Sequence, residues 1–139
     1  MTGKLRVLID LNLILDVLQK REPFYVASAQ VLACVETGLV EGLVAAHTIT
    51  TLFYLIAKDR STEVARVALT ELLHLLSVAA VDHTTIEQAL SLPYNDFEDA
   101  VQMMAAVQAG AQYVVTRNIQ DYRPGPLPAL QPAELLTVV

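Results

Sequence analysis

The sequence is poor in charge, and most of the charge it has is negative. Only 17% of its 139 residues are charged, 54% are hydrophobic, and the formal net charge is −6. Proteins that hold nucleic acid through the phosphate backbone alone carry a basic surface. The acidic balance excludes that mode, so any contact with nucleic acid must be local or bridged by a metal ion. The high apolar fraction predicts a tightly packed domain or an oligomer interface.

The sequence also has only one cysteine, and it lacks the patterns of a membrane-spanning helix and of a signal peptide. A single cysteine, Cys34, excludes an intrachain disulfide, and its apolar helical surroundings predict a buried thiol. The longest uncharged stretches, residues 42–57 and 100–116, are shorter than the roughly 20 residues of a spanning helix. The N-terminus has a short basic lead without a signal-peptide cleavage site. We therefore expect one cytoplasmic domain over residues 1–139.

Strands and helices are predicted to alternate along the chain. Five short apolar runs have the composition of strands: residues 5–9, 42–46, 77–81, 113–116 and 127–130. Helical periodicity lies between and after them, at residues 11–19, 24–37, 48–58, 61–76, 83–92, 95–109 and 132–136. Gly38 and Gly110 are expected to end two of these helices. The alternation predicts an α/β fold, a three-layer α/β/α sandwich with a mainly parallel central sheet of about five strands.

Acidic residues are concentrated where strands end and where one helix begins. Asp10 directly follows the first strand, Asp121 lies just beyond the fourth, and Asp96 and Asp99 open the helix that leads into the fourth. The carboxyl ends of parallel strands meet at one edge, so we expect these four acids to converge there with Asn118. Carboxylates at close quarters need cations or protons to neutralise them, and oxygen ligands select Mg²⁺ or Mn²⁺. Such sites typically hydrolyse phosphodiesters.

Structural explanations for the same acids stay open at this point. Acids favour helix N-termini, so Asp96 and Asp99 can serve only to stabilise a helix that Asn95 caps. Glu98 then points away from both and is expected to be a solvated charge. Asp10 can cap the helix that follows its strand.

Four other polar residues also have ordinary structural explanations. Asp121 and Asn118 stand in a segment with the composition of a turn. Asp16 is expected on the surface of the first helix. Tyr122 is expected to cover the core.

Two segments resemble the PIN domain, the fold of the VapC-type toxin ribonucleases. VLIDLNLILDVL is similar to the family's opening strand, turn and helix, and DFEDAVQMMAAVQAGAQYVVTRNIQDY is similar to its closing segment. The first segment lies near the start of the chain and the second near its end, and the resemblance covers most of the chain's length. The resemblance implies that Asp10 and Asp99 bind a divalent metal ion, with Asp96 near them. Asn12 and Thr116 would support these acids, Thr116 by positioning a metal ion, a water molecule or a neighbouring acid.

This chain departs from the family pattern at two positions. The family usually carries a glutamate early in the helix after the second strand, where this chain has Thr51. The family's fourth acid often follows Thr-Arg directly, where this chain has Asn118. The resemblance then implies that Asp121 supplies the missing charge as a metal ligand. Arg117 is expected either to contact a substrate phosphate or to be a surface charge.

The resemblance implies a Mg²⁺- or Mn²⁺-dependent endoribonuclease, the toxin of a toxin–antitoxin pair, with four catalytic acids: Asp10, Asp96, Asp99 and Asp121. The alternative is a catalytically degenerate PIN-like module that binds RNA or a protein partner, which the departure at Thr51 favours. A small antitoxin protein and a second copy of the chain are the expected partners. The apolar helices at 48–58 and 62–76 form a face for either partner, unless they only pack in the core.

Other enzyme classes lack their signatures. The chain has no P-loop, no GxGxxG and no Ser-His-Asp order, and its histidines at positions 47, 74 and 83 lack metal-ligand spacing. A receiver-type phospho-acceptor domain needs a lysine after its late strand, and no lysine follows Lys58. A haloacid-dehalogenase-type phosphatase needs Asp-x-Asp, where this chain has Asp10-Leu11-Asn12.

Overall fold

A parallel β-sheet forms the centre of the molecule. The computed structural model describes residues 4–139, and residues 1–3, which begin the predicted domain and its basic lead, lie outside the described residues. Within residues 4–139 the sheet has five strands, in the order β3-β2-β1-β4-β5, and every neighbouring pair is parallel. The strands are β1 (Leu5–Ile9), β2 (Val40–Ala45), β3 (Ser77–Ala79), β4 (Tyr113–Val115) and β5 (Ala129–Leu130).

Helices connect the strands and cover both faces of the sheet. Within the described part of the chain they are α1 (Leu11–Leu18), α2 (Tyr25–Glu36), α3 (Ala46–Asp59), α4 (Thr62–Leu75), α5 (His83–Ala89), α6 (Phe97–Gln108) and α7 (Pro132–Val138). A 3₁₀ turn, Ile119–Tyr122, follows β4.

The central strand shows why the fold has three layers. Val7 and Ile9 pack with side chains of α1, α2, α3, α4 and α7 on one face. Leu8 points to the other face and packs with Met103 of α6 and with Tyr122. A strand buried on both faces is typical of a parallel sheet between two helical layers. The predicted α/β fold class is therefore confirmed.

The second strand begins earlier than predicted. The apolar pattern indicated a strand over 42–46, whereas β2 begins at Val40. Val40 is buried, and it and Glu41 pair with the first two residues of β1. Gly42 is the residue that lets the chain pack closely here, since a Cβ atom on it would lie 2.6 Å from Cδ2 of Leu76.

Other predicted boundaries shift because strands end where their partners end. β3 stops at Ala79, short of the predicted 77–81, because Ala79 pairs with Ala45, the last residue of β2. β5 is likewise shorter than the predicted 127–130. α3 begins directly after β2, ahead of the predicted 48–58.

Several local predictions agree with the structure. Gly38 (φ +82°) and Gly110 (φ +76°) adopt the left-handed conformation just beyond α2 and α6, where glycine ends a helix without strain. Cys34 is a buried free thiol. Among residues 4–139, no helix combines the length and the apolar character that a bilayer crossing requires.

Candidate active site

Asp10 lies between β1 and α1, at the carboxyl end of the central strand. It occupies the N-cap position of α1, yet its side chain makes no capping hydrogen bond. The residue is only 3% exposed, and its Oδ1 atom accepts hydrogen bonds from the Tyr122 hydroxyl at 2.8 Å and from Nε2 of Gln102 at 3.1 Å. The Oγ1 atom of Thr116 lies 3.4 Å from Oδ2. The capping explanation is therefore wrong for Asp10, whose carboxylate belongs to a buried polar cluster.

Asp99 reaches the same two donors from the first turn of α6. Its Oδ1 atom lies 3.3 Å from the Tyr122 hydroxyl and 3.4 Å from Nε2 of Gln102. A tyrosine hydroxyl has one proton to donate, and Asp10 accepts it at the shorter distance. Two carboxylates thus converge on one hydroxyl and one amide, and Asp99 has the weaker share of the hydrogen bonds.

The electrostatics of Asp99 reflect this crowding. Burial, followed by the negative charges of Asp96 and Asp10, raises the pKa of Asp99 to about 7; the charge of Asp121 contributes as well. The hydrogen bond from Tyr122 acts in the opposite direction but does not compensate. Burial and the two nearby carboxylates also raise the pKa of Tyr122 well above its ordinary value, so its hydroxyl remains a donor. The other three predicted acids therefore all raise the pKa of the Asp99 carboxyl group.

A cleft beside Asp99 brings the remaining acids together. Its volume is about 300 Å³, and its lining includes Asp96, Asp99 and Asp121. Arg123 lines the same cleft and supplies a positive charge there. The sequence predicted that Asp10, Asp96, Asp99 and Asp121 would converge, and the structure brings them together at one edge of the sheet; their catalytic and metal-binding roles stay predictions.

The start of α6 differs from the prediction in its cap and in Glu98. Asp96, not Asn95, is the N-cap, and its Oδ1 atom accepts a hydrogen bond from the backbone N–H of Glu98 at 2.9 Å. The capping explanation is therefore correct for Asp96. Glu98 was expected to be solvated, but it is partly buried and its Oε2 atom accepts a hydrogen bond from Oγ1 of Thr51 at 2.9 Å. The ring of His47 also lies against the backbone carbonyl of Glu98 (Nε2···O 3.2 Å), because α3 packs on this end of α6.

Asp16 and Arg117 also differ from the prediction. Asp16 is fully buried rather than on the helix surface, and it accepts two hydrogen bonds from the Arg117 guanidinium, at 2.9 and 3.1 Å, and one from Ser28. The guanidinium carbon of Arg117 lies 3.9 Å from the centre of the Phe24 ring. The sequence could not show this pairing because the two residues are far apart along the chain. Arg117 therefore has a structural partner in place of the expected phosphate or solvent.

The predicted supporting residues differ in how closely they approach the acids. Thr116 is fully buried beside Asp10, and its Oγ1 atom also accepts a hydrogen bond from the backbone N–H of Asn118 at 3.0 Å. Asn118 is exposed, and its backbone carbonyl accepts a hydrogen bond from the N–H of Asp121 at 3.0 Å. Asn12 lies in the first turn of α1 and is partly buried. The loop after β4 is thus organised by Thr116 and by backbone contacts.

Two residues of the buried polar cluster were not predicted as site residues from the sequence. Gln102 is 1% exposed, and besides its contacts with the acids its Oε1 atom lies within 3.3 Å of the backbone N of Leu11. A glutamine on the apolar face of a predicted helix, one turn beyond Asp99, was the available signal. Tyr122 was assigned only to the core, although a buried tyrosine hydroxyl needs a hydrogen-bond partner.

The donor set of the site suits a hard divalent cation. Asp10 and Asp99 present carboxylate oxygens, which Mg²⁺ and Mn²⁺ prefer, and the raised pKa of Asp99 indicates negative charge that a cation would neutralise. Among residues 4–139, no three acidic, histidine or cysteine side chains stand together in a ready metal-binding geometry. The chemistry of these two residues fits the cation, and further ligands would have to come from side-chain adjustment or water.

Comparison with known proteins identifies the family. A PIN-domain family model matches residues 6–120. Ribonuclease VapC1 of Aquifex aeolicus (strain VF5) is 22% identical over 125 residues, which cover 86% of this chain and 85% of the relative.

Solved structures with the same fold include VapBC-1 from nontypeable Haemophilus influenzae, with a TM-score of 0.70 and 14% identity over 93% of this chain and 99% of the other. A toxin–antitoxin complex from Klebsiella pneumoniae has a TM-score of 0.68 and 19% identity over 91% of this chain and 97% of the other. Mycobacterium tuberculosis VapC20, a sarcin-ricin loop cleaving toxin, has a TM-score of 0.63 and 15% identity over 78% and 86%. The match of the family model over most of the sequence shows that the chain belongs to the PIN-domain family.

Proposed function

We propose that the chain is a divalent-metal-dependent endoribonuclease and the toxin of a toxin–antitoxin pair. The observation that carries this proposal is the convergence of Asp10 and Asp99 on one hydroxyl and one amide, beside a cleft that Asp96 and Asp121 also line. The relative from Aquifex aeolicus is a ribonuclease, which supports RNA as the substrate class.

The acids have different proposed roles. Asp10 and Asp99 would hold the Mg²⁺ or Mn²⁺ ion, and Asp121 would assist them directly or through water. Asp96 adds negative charge at the mouth of the cleft while it caps α6. A bound divalent cation would supply a Lewis acid for the phosphoryl oxygens and lower the pKa of water.

The chain's other site residues orient these acids. Tyr122 and Gln102 fix the Oδ1 atom of Asp10, and Thr116 lies against its Oδ2 atom. The backbone carbonyl of Asn118 accepts a hydrogen bond from the N–H of Asp121 and so stabilises the turn that contains Asp121. Asn12 is proposed as a polar neighbour at the start of α1.

Arg123 is the proposed phosphate contact in the cleft. It is exposed and lines the cleft with the acids, whereas the guanidinium of Arg117 is bound to Asp16. An arginine beside an acidic cation site can hold a phosphate in two hydrogen bonds. Arg123→Gln is expected to weaken RNA binding more than cleavage of the bound RNA.

The test of the proposed function is cleavage of a structured RNA pool in the presence of Mg²⁺ or Mn²⁺. The wild-type chain is compared with Asp10→Asn and with a sample in EDTA, after removal of any bound antitoxin. Metal-dependent cleavage that the Asp10→Asn variant loses would support the nuclease. Cleavage that persists in EDTA would contradict the metal dependence.

The proposed antitoxin partner fits an apolar groove between α2 and α4. A cavity of about 450 Å³ there is lined by apolar residues such as Leu18 and Leu72, and by the acids Glu36 and Glu71. The acidic rim favours a partner helix whose apolar stripe is flanked by basic residues. The structural neighbour from Klebsiella pneumoniae is a toxin–antitoxin complex, which supports a partner of this kind.

A surface variant tests this groove. Val67 of α4 is 61% exposed at a neighbouring part of the groove, so Val67→Asp should abolish co-purification with the product of a small adjacent antitoxin gene. Leu90→Asp is the matched control, because Leu90 is 69% exposed on the other side of the sheet, after α5. Equal capture by both variants would contradict the groove as the docking site.

A homodimer and a cytoplasmic location are proposed as well. Exposed apolar side chains on α3 and α4 away from the antitoxin groove, including Tyr54 and Leu73, provide area for a second copy. Sedimentation velocity of the purified chain tests the dimer. The free thiol of Cys34 suits a reducing compartment, and cell fractionation tests the location.

A binding module without catalysis is the second candidate. It is favoured by Thr51, which lacks the family's helix carboxylate, and by the absence of a ready three-ligand metal geometry within residues 4–139. Such a module would bind RNA or a protein partner through the same faces. RNA binding without cleavage, by well-folded protein and across several RNA pools, would favour this candidate.

A further inference from the structure

The carboxylate of Glu98 is held at the seam between α3 and α6. The Oγ1 atom of Thr51 donates a hydrogen bond to Oε2 of Glu98 at 2.9 Å. The Oγ1 atom of Thr51 also lies 3.4 Å from the backbone carbonyl oxygen of His47, which is the longer of its two contacts. A charge-assisted hydrogen bond of this length fixes a carboxylate that would otherwise move freely at the start of a helix. Thr51 therefore orients Glu98 and does not merely pack beneath it.

The contact between α3 and α6 is connected to Asp10 through Gln102. Glu98 and Gln102 are four residues apart on α6, so their side chains lie on the same helix face. The Nε2 atom of Gln102 donates to Asp10 at 3.1 Å, and its Oε1 atom lies 3.5 Å from Oγ1 of Thr48 on α3. Glu98 and Gln102 thus both contact α3 from the same face of α6, and Gln102 connects that face to Asp10.

A second feature of the same seam is incompletely satisfied. The Nδ1 atom of His47 is buried and has no hydrogen-bond partner among the described residues. Its Nε2 atom lies against the Glu98 backbone carbonyl. Buried polar atoms without partners are rare and commonly indicate a water molecule or an ion that completes the contacts.

We propose that Glu98, oriented by Thr51, is a further carboxylate of the active site and takes part in binding the divalent cation. This inference rests on the proposed function. It gives the position of Thr51 a role, because the threonine hydroxyl holds a carboxylate from α6 where a glutamate on α3 would otherwise stand. The acidic complement of the site is then larger than the four acids predicted from the sequence.

The test is calorimetric titration of Mn²⁺ into the purified chain, which reads cation affinity without any substrate. Glu98→Gln removes the charge but can still accept the hydrogen bond from Thr51, and its affinity for Mn²⁺ is expected to fall about tenfold or more. Thr51→Val removes only the hydroxyl and should weaken binding in the same direction. Glu87→Gln is the matched control, because it removes one exposed acid from α5 and should leave the affinity unchanged.

A double variant tests the position of the charge. Glu98→Gln combined with Thr51→Glu returns a carboxylate to the seam from the α3 side, and it should regain most of the lost affinity. Melting temperatures measured in EDTA check that every variant is folded. A double variant that binds no better than Glu98→Gln would overturn the assignment of the carboxylate to this seam.

Parallel titration of Asp10→Asn separates the two levels of the proposal. Loss of binding in Asp10→Asn together with unchanged affinity in Glu98→Gln would overturn the inference on Glu98 alone. Failure of the wild-type chain to bind Mn²⁺ would overturn both the inference and the metal-dependent function.

Discussion

Replacing Arg117 by methionine is expected to destabilise the fold more than replacing Asp16 by asparagine. The two side chains form a bidentate ion pair, with nitrogen–oxygen distances of 2.9 and 3.1 Å. The pair is asymmetric, because the Asp16 side chain is 0% exposed and that of Arg117 is 22% exposed. Each substitution therefore leaves a different charge behind.

The expected magnitudes follow from what remains after each change. Arg117→Met leaves a fully buried carboxylate with Ser28 as its remaining side-chain donor, and an unpaired buried charge of this kind costs about 3–5 kcal/mol. Asp16→Asn leaves a guanidinium that still contacts solvent and the ring of Phe24. The loss of unfolding free energy should therefore be about 1.5–3 kcal/mol, the contribution of a hydrogen bond to a charged group. The larger value is a substantial share of the roughly 5–15 kcal/mol that stabilises a typical domain.

Urea denaturation at neutral pH, followed by circular dichroism, measures both free energies of unfolding. The slope of the unfolding free energy against urea concentration should match the wild type if only the native contacts have changed. The double variant should be less destabilised than the sum of the two single variants, because neither charge is then left alone. Losses below about 1 kcal/mol in both single variants, as for exposed ion pairs, would refute the structural role given to Arg117.

Four further predictions concern the acid cluster and the packing beside it. In the metal-free protein, the pKa of Asp99 is raised to about 7 from its ordinary value of 3.8. The stability that its neutral form contributes is therefore complete below pH 3.8 and is lost as the pH rises through 7; thermal melts should show this fall, and Asp99→Asn should remove it. Mn²⁺ must displace that proton, so calorimetry should show affinity that rises with pH up to about 7 and then levels off. Tyr122→Phe removes the donor shared by two carboxylates and should cost about 1.5–3 kcal/mol in EDTA, measured by urea denaturation, whereas no loss would contradict the shared hydrogen bond. Gly125→Ala places a Cβ atom against the Tyr94 hydroxyl and 2.8 Å from the Tyr122 carbonyl oxygen, so a lowered melting temperature is expected, and an unchanged one would contradict this tight packing.

The fold was predictable because its signals are local. Alternating apolar runs and helical periods indicate a parallel α/β sheet, and the positive φ angles at Gly38 and Gly110 follow from where the helical patterns stop. The family prediction rested on two local segments and is confirmed by the match over residues 6–120. Strand ends were less predictable, since Val40 joins β2 through pairing with a strand more than thirty residues away in the sequence.

The candidate site was only partly predictable for the same reason. The convergence of Asp10 with Asp99 follows from a topological rule about the carboxyl ends of strands. The contacts that decide their electrostatics do not, because Tyr122 and Asp10 are separated by 112 positions. A pattern search assigns Tyr122 to the core and gives no reason to connect it with a carboxylate.

Contacts between residues far apart in the sequence show most clearly what could not be predicted from the sequence. Asp16 was expected on a surface, and Arg117 either at a phosphate or on the surface. Both expectations missed their pairing, which spans 101 positions. Glu98 and Thr51 are a second such pair, 47 positions apart. Neither residue carries a sequence signal for its partner, since a carboxylate and a hydroxyl at helix ends have ordinary explanations when each is considered alone.

The most direct test of the account is a crystal structure of the chain grown with Mn²⁺, with anomalous scattering data collected to locate the metal ion. An anomalous peak is expected in contact with the carboxylates of Asp10 and Asp99, beside the cleft that Asp121 lines. A fully occupied Mn²⁺ ion bound only at another place, or no peak at these carboxylates at millimolar Mn²⁺, would contradict a metal-dependent active site at this edge of the sheet.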